Sequence, residues 1–482
     1  MLDLRPVLHI LGLILAVLGA SMLAPMTIDL LTANRNWQTF FEAGVETMLT
    51  GTLLAIASRS PTPQGLSVRQ AYLLTAGIWV VLPAFAALPF MQGAPYATLT
   101  DAYFEAVSGI TTTGSSVFPG LGSLPPGVVL WRGMLNWMGG LGIAFVAMIF
   151  LPVMRIGGMQ FFRTEGFDTL GKILPRARDI ARALVVVYLG LTLLFTITYG
   201  ALGMTTFEAI IHAMSTISTG GFSTSDASFA AFSGPAEYAG ALFMLLSAMP
   251  FIRFAQLARG ATRPIWLDTQ IRGLLRWFCY ATAAVVAWRV IRTEVGFEPA
   301  LRETLFNLSS IMTGTGFGSA DISTWGNFPV VVMFIVGMIG GCTGSSSGSL
   351  SVFRWQALGA AIRAAVQQLH SPHRLVMPRY DGKTLGDDVL NPLMMYFTGY
   401  ILTLGTLSVA VSMTGVDMTS ALFAIWTSLG NIGYALGPMT ARTGTMIDFN
   451  DAATWVMTLA MLLGRLGLLA ILVVFLPRFW RG

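Results

Sequence analysis

Long apolar stretches with few or no charges dominate the chain. They cover residues 7–31, 71–90, 128–153, 184–202, 239–252, 329–340, 393–411 and 454–476. Most of them approach the ~20 residues that a helix needs to cross a bilayer. Because the runs are continuous rather than alternating, the pattern predicts an all-α, polytopic membrane protein and not a barrel.

Four shorter helix-like stretches lie between these runs, at 99–110, 205–217, 299–312 and 418–429. At a rise of ~1.5 Å per residue they span only about 18–21 Å, less than the ~30 Å hydrocarbon core, so they must enter and return. Irregular backbone survives at membrane depth only where protein or a water-filled cavity satisfies its polar groups. Four such loops predict a shared aqueous path.

A Gly-, Ser- and Thr-rich segment follows each short stretch, and the four segments align without gaps. An apolar run precedes each stretch and another follows it. The predicted unit is therefore an M1 helix, a pore helix, a loop and an M2 helix, arranged with pseudo-symmetry around one pore. The units cover 71–155, 180–262, 274–367 and 389–480, and two extra transmembrane helices lie within 1–58.

The aligned segments suit a cation-binding site made of backbone carbonyls. A ring of carbonyls replaces the hydration shell of a monovalent cation without adding a fixed anion. Glycine reaches positive φ, so successive carbonyls can turn toward the axis. The candidate filter residues are Thr111, Thr112, Thr113, Gly114, Ser218, Thr219, Gly220, Gly221, Thr313, Gly314, Thr315, Gly316, Gly430, Asn431, Ile432 and Gly433.

The third predicted M2 helix is interrupted by small and polar residues. Between Val336 and Ser349 the sequence has five glycines and five serines or threonines. Each glycine costs a helix about 1 kcal/mol relative to alanine, and the hydroxyls offer the backbone other partners. The segment predicts a flexible intramembrane loop below the filter. A kinked helix with small residues for close packing is the alternative.

Arg465 is the only basic residue well inside a predicted spanning run. A buried guanidinium costs several kcal/mol unless it faces water or a partner, so Arg465 is expected to face the pore. Snorkelling to the interface is the alternative, but Arg465 lies too deep in the run for it.

Composition agrees with a membrane protein, because 54% of the residues are hydrophobic and 11% are charged, against about 25% charged in soluble domains. The net charge of +5 reflects basic loops rather than a nucleic-acid surface. Three clusters follow apolar runs, and the positive-inside rule places them, with both termini, in the cytoplasm. The clusters are Arg155, Arg163, Lys172, Arg176, Arg178 and Arg182; Arg253, Arg259, Arg263, Arg272 and Arg276; and Arg354, Arg363, Arg374, Arg379 and Lys383.

Acidic residues near the pore helices have two interpretations. Glu105, Glu208 and Glu303 either raise the cation concentration at the outer mouth or anchor the helices. Asp226 and Asp321 follow filter glycines and serve either the outer vestibule or a turn. The two cysteines and four histidines lack metal-ligand spacing, and no His-x-x-Glu-His pattern or P-loop lysine occurs. The sequence therefore does not favour an enzyme, and it predicts no cofactor in this chain.

The four loop segments resemble degenerate copies of the Thr-Val-Gly-Tyr-Gly filter of potassium channels. With the segments 137–143, 156–160, 215–224 and 464–466, they make the chain similar to the Trk/Ktr/HKT superfamily, and within it to Trk-type membrane subunits. The resemblance covers essentially the whole chain. In plant relatives a serine at the first-loop glycine position is associated with sodium preference, and here that residue is Gly114.

The resemblance implies potassium uptake across the bacterial inner membrane, with rubidium or sodium as possible further ions. It implies a barrier at Arg465 and a homodimer that binds a cytosolic, nucleotide-binding regulatory subunit, so that nucleotide control comes from the partner. The basic loops would dock that partner, or else they serve topology and lipid binding alone. It also implies an intramembrane gate, formed by Cys342, Thr343, Gly344, Ser345, Ser346, Ser347, Gly348 and Ser349. A sodium-permeable or proton-coupled transporter on the same scaffold is the alternative function.

Overall fold

The computed structural model describes residues 3–59, 66–145, 177–371, 373, 376–467 and 477–481. In these residues the chain is almost wholly helical, and strands occur only in the hairpin of Arg379–Tyr380 and Lys383–Thr384. The predicted all-α class is confirmed. Six helical segments in the described part are long and apolar enough to cross a membrane: Arg5–Leu31, Trp37–Ala57, Arg69–Gln92, Ala181–Ala201, Thr269–Arg292 and Asp387–Ser412.

The N-terminal segment packs as a close helix pair. Helix Arg5–Ser21 lies against helix Trp37–Ala57, and a Cβ atom built on Gly12 would be only 2.6 Å from the carbonyl oxygen of Gly51. Small residues let the two backbones approach, which is how helices associate where lipid removes the hydrophobic driving force. The intervening helix Leu23–Leu31 carries Asp29, which accepts a 2.6 Å hydrogen bond from the amide of Gly127 and so ties the pair to the rest of the protein.

Four short helices occupy the predicted positions, at Leu99–Ile110, Thr206–Ile217, Phe297–Thr313 and Met418–Gly430. Side chains of Thr98, Thr205 and Asp417 cap three of them by accepting backbone N–H groups of the first turn. The third helix has 17 residues and is longer than the predicted 299–312. It begins before Pro299 because a proline is tolerated in the first turn, where the N–H has no helical partner.

A long M1 helix precedes each short helix and an M2 helix follows it. The M1 helices are Val68–Ala86, Ala177–Ala201, Thr269–Arg292 and Asp387–Ser412, and the M2 helices begin with Pro126–Phe145, Pro235–Ser247, Asn327–Ile339 and Asp451–Leu466. The first, second and fourth M2 helices each pack against their own short helix and the next one. The third reaches the fourth short helix through Trp426, whose Nε1 donates to the carbonyl of Phe334 at 3.1 Å. The elements thus close into a ring in chain order.

Three of the M2 helices are interrupted. In the second, helices Pro235–Ser247 and Phe251–Leu257 bend by 96°, so the run 239–252 is not the single span expected from its apolarity. Pro250 lies at the bend, where its missing N–H breaks the helical ladder. In the third, the helix ends at Ile339 and resumes as Val352–His370; residues 340–351 between them are called the serine loop.

The fourth M2 helix ends at Leu466, because Gly467 adopts a left-handed conformation with φ of 74°. The run 454–476 is therefore not one continuous helix. Residues 468–476, residues 146–155 of the first M2 prediction, the motif 156–160, Arg155, Arg163, Lys172, Arg176 and Arg374 lie outside the described residues. The division into four duplicated units stays a prediction.

Short elements complete the described fold. They are Leu88–Gln92, Leu121–Ser123, Ser228–Phe232, Arg263–Leu267, Ile322–Trp325, Pro438–Thr440 and Pro477–Arg481. A 3₁₀ turn follows each short helix a few residues after the chain leaves its glycine-containing segment. The same order of elements therefore recurs four times along the chain.

Candidate functional site

The chain turns in the same way at the end of each short helix. Loop 1 comprises residues 111–114, loop 2 residues 218–221, loop 3 residues 313–316 and loop 4 residues 430–433. Each loop ends on a glycine in the left-handed region, with φ of 84° at Gly114, 70° at Gly221, 83° at Gly316 and 80° at Gly433. Glycine is the one residue that adopts this conformation at no steric cost, so all four positions require it.

A second left-handed residue lies two positions before each glycine, and sequence reasoning missed it. The φ angles are 53° at Thr112, 52° at Thr219, 73° at Gly314 and 50° at Asn431. Positive φ is uncommon for threonine, so the sequence carried no signal at the first two of these positions. Asparagine at 431 and glycine at 314 were the available signals, since both residues tolerate this region.

The residue between the two left-handed positions directs its amide back to the short helix. The N–H groups of Thr113, Gly220, Thr315 and Ile432 each donate to a carbonyl five residues earlier, all at 2.8 Å. The acceptors are Ser108, Ser215, Ser310 and Thr427. With its N–H held by the helix, each of these four residues presents its own carbonyl to a neighbouring loop.

Those four carbonyls close the loops into a ring. A Cβ atom built on Gly114 would be 2.1 Å from the carbonyl oxygen of Gly220, and one on Gly221 would be 1.9 Å from that of Thr315. The corresponding distances are 2.2 Å from Gly316 to Ile432 and 2.0 Å from Gly433 to Thr113. Loop 1 therefore meets loop 2, loop 2 meets loop 3, loop 3 meets loop 4, and loop 4 returns to loop 1.

A cavity of about 720 Å³ lies on one side of this ring, and all four loop glycines line it. Asp226 and Asp321 line it as well, and both carboxylates also hold turns. Asp226 accepts from the amides of Gly120 and Leu121 at 3.0 and 3.1 Å, and Asp321 accepts from the amide of Ser323 at 2.9 Å. The two interpretations of these residues are therefore compatible.

The serine loop lies on the other side of the ring and contacts the ends of three short helices. Ser346 Oγ donates to the carbonyl of Ile217 at 2.9 Å, and Ser347 Oγ donates to that of Thr313 at 2.5 Å. Ser349 Oγ is shared between the carbonyl of Gly337 at 2.6 Å and that of Gly430 at 3.1 Å. Ile217, Thr313 and Gly430 are the last residues of short helices 2, 3 and 4, whose C-terminal carbonyls lack helical partners. The serine loop thus covers the side of the ring that is opposite the cavity.

The other residues of the serine loop fix it to the surrounding helices. The amide of Cys342 donates to the carbonyl of Ala248 at 2.8 Å, and the amide of Thr343 donates to Gln270 Oε1 at 2.8 Å. The carbonyl of Gly344 accepts from the amide of Phe251 at 3.1 Å. Two of these contacts fall at the bend of the second M2 helix. The loop is therefore continuous with that bend as well as with the ring.

Arg465 connects the serine loop to loop 1. One guanidinium nitrogen, Nη2, donates to Thr112 Oγ1 at 2.7 Å and to the carbonyl of Ser346 at 2.5 Å. Gly464 beside it lies so close to the fourth short helix that a Cβ there would be 2.0 Å from the carbonyl oxygen of Leu429. Arg465 is in the last turn of its helix rather than inside a continuous span. It faces the ring, and the snorkelling alternative is wrong.

The three glutamates of the short helices all make anchoring contacts. Glu105 forms an ion pair with Arg132 at 2.7 Å, and both side chains are buried. Glu303 pairs with Arg289 at 2.6 Å. Glu208 completes a capping box with Thr205. These contacts agree with the anchoring interpretation.

The described helices, together with the comparisons below, define a multi-pass membrane protein of the class of ion transport proteins. Within that class, the chain belongs to the TrkH family of cation transport proteins, whose family model matches residues 36–288 and 292–481. The predicted membership of the Trk/Ktr/HKT superfamily is confirmed. The chain is a transport protein and not an enzyme.

The similarity to characterised relatives extends over the whole chain. The Trk system potassium uptake protein TrkI of Halomonas elongata is 35% identical over 99% of this chain and 97% of its own length. TrkH of Escherichia coli is 31% identical over 99% of both chains. The crystal structure of the potassium transporter TrkH from Vibrio parahaemolyticus matches with a TM-score of 0.91 at 31% identity, covering 100% of both chains. The fold is therefore that of this transporter.

Proposed function

We propose that this chain takes up potassium across the bacterial inner membrane through one channel-like pore whose selectivity filter is the ring of loops 1 to 4. The observation that carries the proposal is the closure of the four loops into a ring. A Cβ atom built on each loop glycine would lie 1.9 to 2.2 Å from a carbonyl oxygen of the next loop. The relatives named as potassium uptake proteins support potassium as the ion.

The chemistry of the ring fits a dehydrated monovalent cation. Carbonyl oxygens at the loop positions substitute for water ligands, and no carboxylate in the ring binds the ion too tightly to release it. The four short helices direct the negative ends of their dipoles toward the space below the ring, which favours cations and disfavours anions. Inward movement of one charge gains about 2.3 kcal/mol per 100 mV, so uptake through such a pore needs no coupling ion at modest gradients.

The serine loop and Arg465 are proposed to close this pore. Serine hydroxyls of residues 342–349 form hydrogen bonds to the C-terminal carbonyls of short helices 2, 3 and 4. Arg465 donates a hydrogen bond to Thr112 Oγ1 in loop 1. A cation leaving the ring therefore meets hydroxyl donors and a guanidinium where it needs oxygen ligands. Opening requires the serine hydroxyls to leave these carbonyls, so that water or the ion replaces them.

Regulation is proposed to come from outside the chain. The basic residues of the second and third clusters that follow M2 helices suit a cytoplasmic face, with both termini on that side. A cytosolic nucleotide-binding subunit docked there would pull on Val352–His370, which continues directly from the serine loop. The working unit is proposed to be a homodimer bound to that partner.

Growth of a potassium-uptake-deficient bacterium at low potassium tests the transport function. The chain is expressed alone and together with its regulatory partner, and an empty vector provides the baseline. Restored growth in at least one case supports potassium uptake, and failure in both contradicts it. Rubidium uptake measured against membrane potential, with and without a pH gradient and in excess sodium, then separates a potassium pore from a proton-coupled or sodium-permeable carrier.

A further inference from the structure

The residue nine positions before each loop glycine occupies the same place on all four short helices. These residues are Glu105, His212, Asn307 and Ala424, and all four are buried. Three of them are polar. Burying a polar side chain is unfavourable unless it is hydrogen-bonded, so the contacts of these three residues need an explanation.

Each polar residue at this position binds the chain where it leaves its own loop. Glu105 accepts from the amide of Val117 at 2.9 Å and from Ser116 Oγ at 3.0 Å. His212 Nε2 and Ser223 Oγ lie 3.0 Å apart. We call the residues that follow each loop glycine the outgoing chain. In the first two loops, the short helix is thus linked directly to the outgoing chain.

Asn307 forms the same link across loop 3 with both ends of its amide. Its Nδ2 donates to Ser319 Oγ at 3.0 Å, and its Oδ1 accepts from the amide of Ser319 at 3.2 Å. In loop 4 the equivalent residue, Ala424, has no polar group. Instead, Tyr434 directly follows the loop glycine, and its hydroxyl is shared between two acceptors, Asn307 Oδ1 at 3.1 Å and the carbonyl oxygen of Ala320 at 3.0 Å. Asn307 therefore holds the outgoing chains of two loops.

Arg132 adds a link between the first two loops. Its Nε pairs with Glu105, its Nη2 donates to Ser116 Oγ at 3.0 Å, and its Nη1 donates to the carbonyl of Ser223 at 3.3 Å. The guanidinium carbon also lies 4.1 Å from the centre of the Phe222 ring. Arg132 therefore joins the outgoing chains of loops 1 and 2, as Asn307 and Tyr434 join those of loops 3 and 4.

We propose that Glu105, His212 and Asn307 are positioning residues for ion selectivity, and that they set the spacing of the carbonyl ring by fixing the outgoing chain of each loop. This inference rests on the proposed filter function. In a snug-fit filter, discrimination between cations of equal charge depends on the separation at which the coordinating carbonyls are held. A released outgoing chain lets its loop move toward the axis and accept the smaller sodium ion. Loss of a link is therefore expected to change selectivity more than total flux.

The test removes hydroxyl groups that contact Asn307 or His212, and none of these substitutions leaves a buried charge. Tyr434→Phe frees loop 4, Ser319→Ala frees one side of Asn307, and Ser223→Ala frees His212. Tyr103→Phe is the matched control, because Tyr103 lies on a short helix but donates only to the carbonyl of Val80. Ser123→Ala is the second control, because Ser123 donates only to Gly120 within an exposed turn.

Purified variants are reconstituted in liposomes, and rubidium and sodium influx are measured at one clamped potential. Tyr434→Phe is expected to raise the sodium-to-rubidium flux ratio by about threefold or more, since one net hydrogen bond corresponds to a factor of this size. The serine variants are expected to raise it less, and the two controls are expected to leave it unchanged. Thermal midpoint and elution volume verify that each variant is folded. If Tyr434→Phe does not fold, Ser319→Ala tests the same residue, Asn307.

Two failures are distinguishable. If neither the wild-type chain nor the chain lacking residues 345–347 carries rubidium, the proposed filter function is wrong. If the wild type is selective while folded Tyr434→Phe, Ser319→Ala and Ser223→Ala keep its flux ratio, these contacts only stabilise the fold and the positioning role is overturned. A lower flux with an unchanged ratio also overturns it.

Discussion

The loops and the M2 helices that follow them differ in how closely their four copies agree. All four loops have two left-handed residues and the same 2.8 Å hydrogen bond back to the short helix. By contrast, the second M2 helix bends by 96°, the third is interrupted by the serine loop, and the fourth ends at Leu466. A ring that binds one ion needs equal ligands from each copy, whereas a device that blocks the ring needs only one copy to change. The difference agrees with the proposal that the loops select the ion and the M2 regions control its passage.

The proposed control elements, the serine loop and Arg465, together contact the region of each of the four loops. The serine loop belongs to the third M2 region, yet its hydroxyls contact short helices 2, 3 and 4. Arg465, from the fourth M2 helix, supplies the contact to loop 1. The serine loop and Arg465, which are not repeated, therefore make at least one hydrogen bond to each loop or to the end of its short helix.

The largest effect is expected from a side chain inside the ring. Gly221→Ala should reduce rubidium flux by about two orders of magnitude, because its Cβ would be 1.9 Å from the carbonyl oxygen of Thr315 at a φ of 70°. Gly415→Ala is the matched control, since Gly415 also has positive φ, of 95°, but a Cβ there has open space. Equal flux in both folded variants would show that close packing in the ring is not needed for conduction.

The next effect concerns the plug and is measured as a double-mutant cycle. Deleting residues 345–347 should raise basal flux about tenfold, and Arg465→Ala should raise it by a similar factor, since each change removes contacts below the ring. Because Arg465 donates to the carbonyl of Ser346, the double variant should exceed either single variant only slightly. Fully multiplicative effects would mean that the two barriers act independently, and unchanged flux in both single variants would refute both assignments.

Much of this arrangement was predictable from the sequence. Apolar run lengths indicated the helices, the recurring glycines indicated the loops, and the cluster of small residues after Val336 indicated the serine loop. Hydropathy did not show that the run 239–252 bends or that the fourth M2 helix ends at Leu466, because it records burial in lipid and not helix continuity. Pro250 and Gly467 were the sequence signals for these two breaks. The contacts of Ser346 and Arg465 join residues more than a hundred positions apart, so only the packed fold brings them together.

A smaller effect is expected from single serines of the plug. Ser346→Ala and Ser347→Ala should each raise basal flux about two- to fivefold, the factor expected for one net hydrogen bond to a helix end. Ser345→Ala provides the control, because Ser345 Oγ donates to Cys342 within the loop itself. Flux is measured in liposomes without the regulatory partner. An equal rise for Ser345→Ala would attribute the effect to loop flexibility rather than to the helix-end contacts.

The smallest effect on transport is expected outside both regions. Asp29→Asn should lower unfolding stability by about 1–2 kcal/mol, because the carboxylate is buried and accepts from the amide of Gly127 at the start of the first M2 helix. The flux of the folded variant and its ion preference should not change. Asp3→Asn, at an exposed position, is the control. A changed sodium-to-rubidium ratio in Asp29→Asn would show that the N-terminal helices also influence the ring.

The most direct test of the central claim is rubidium influx into liposomes containing the variant that lacks residues 345–347, at a fixed negative potential and with potassium or sodium as competitor. A pore formed by the four loops predicts influx well above that of the wild-type chain alone. Potassium should inhibit it strongly, and an equal concentration of sodium should inhibit it weakly. Influx no greater than in empty liposomes, or equal inhibition by the two ions, would contradict a potassium-selective ring closed by the serine loop.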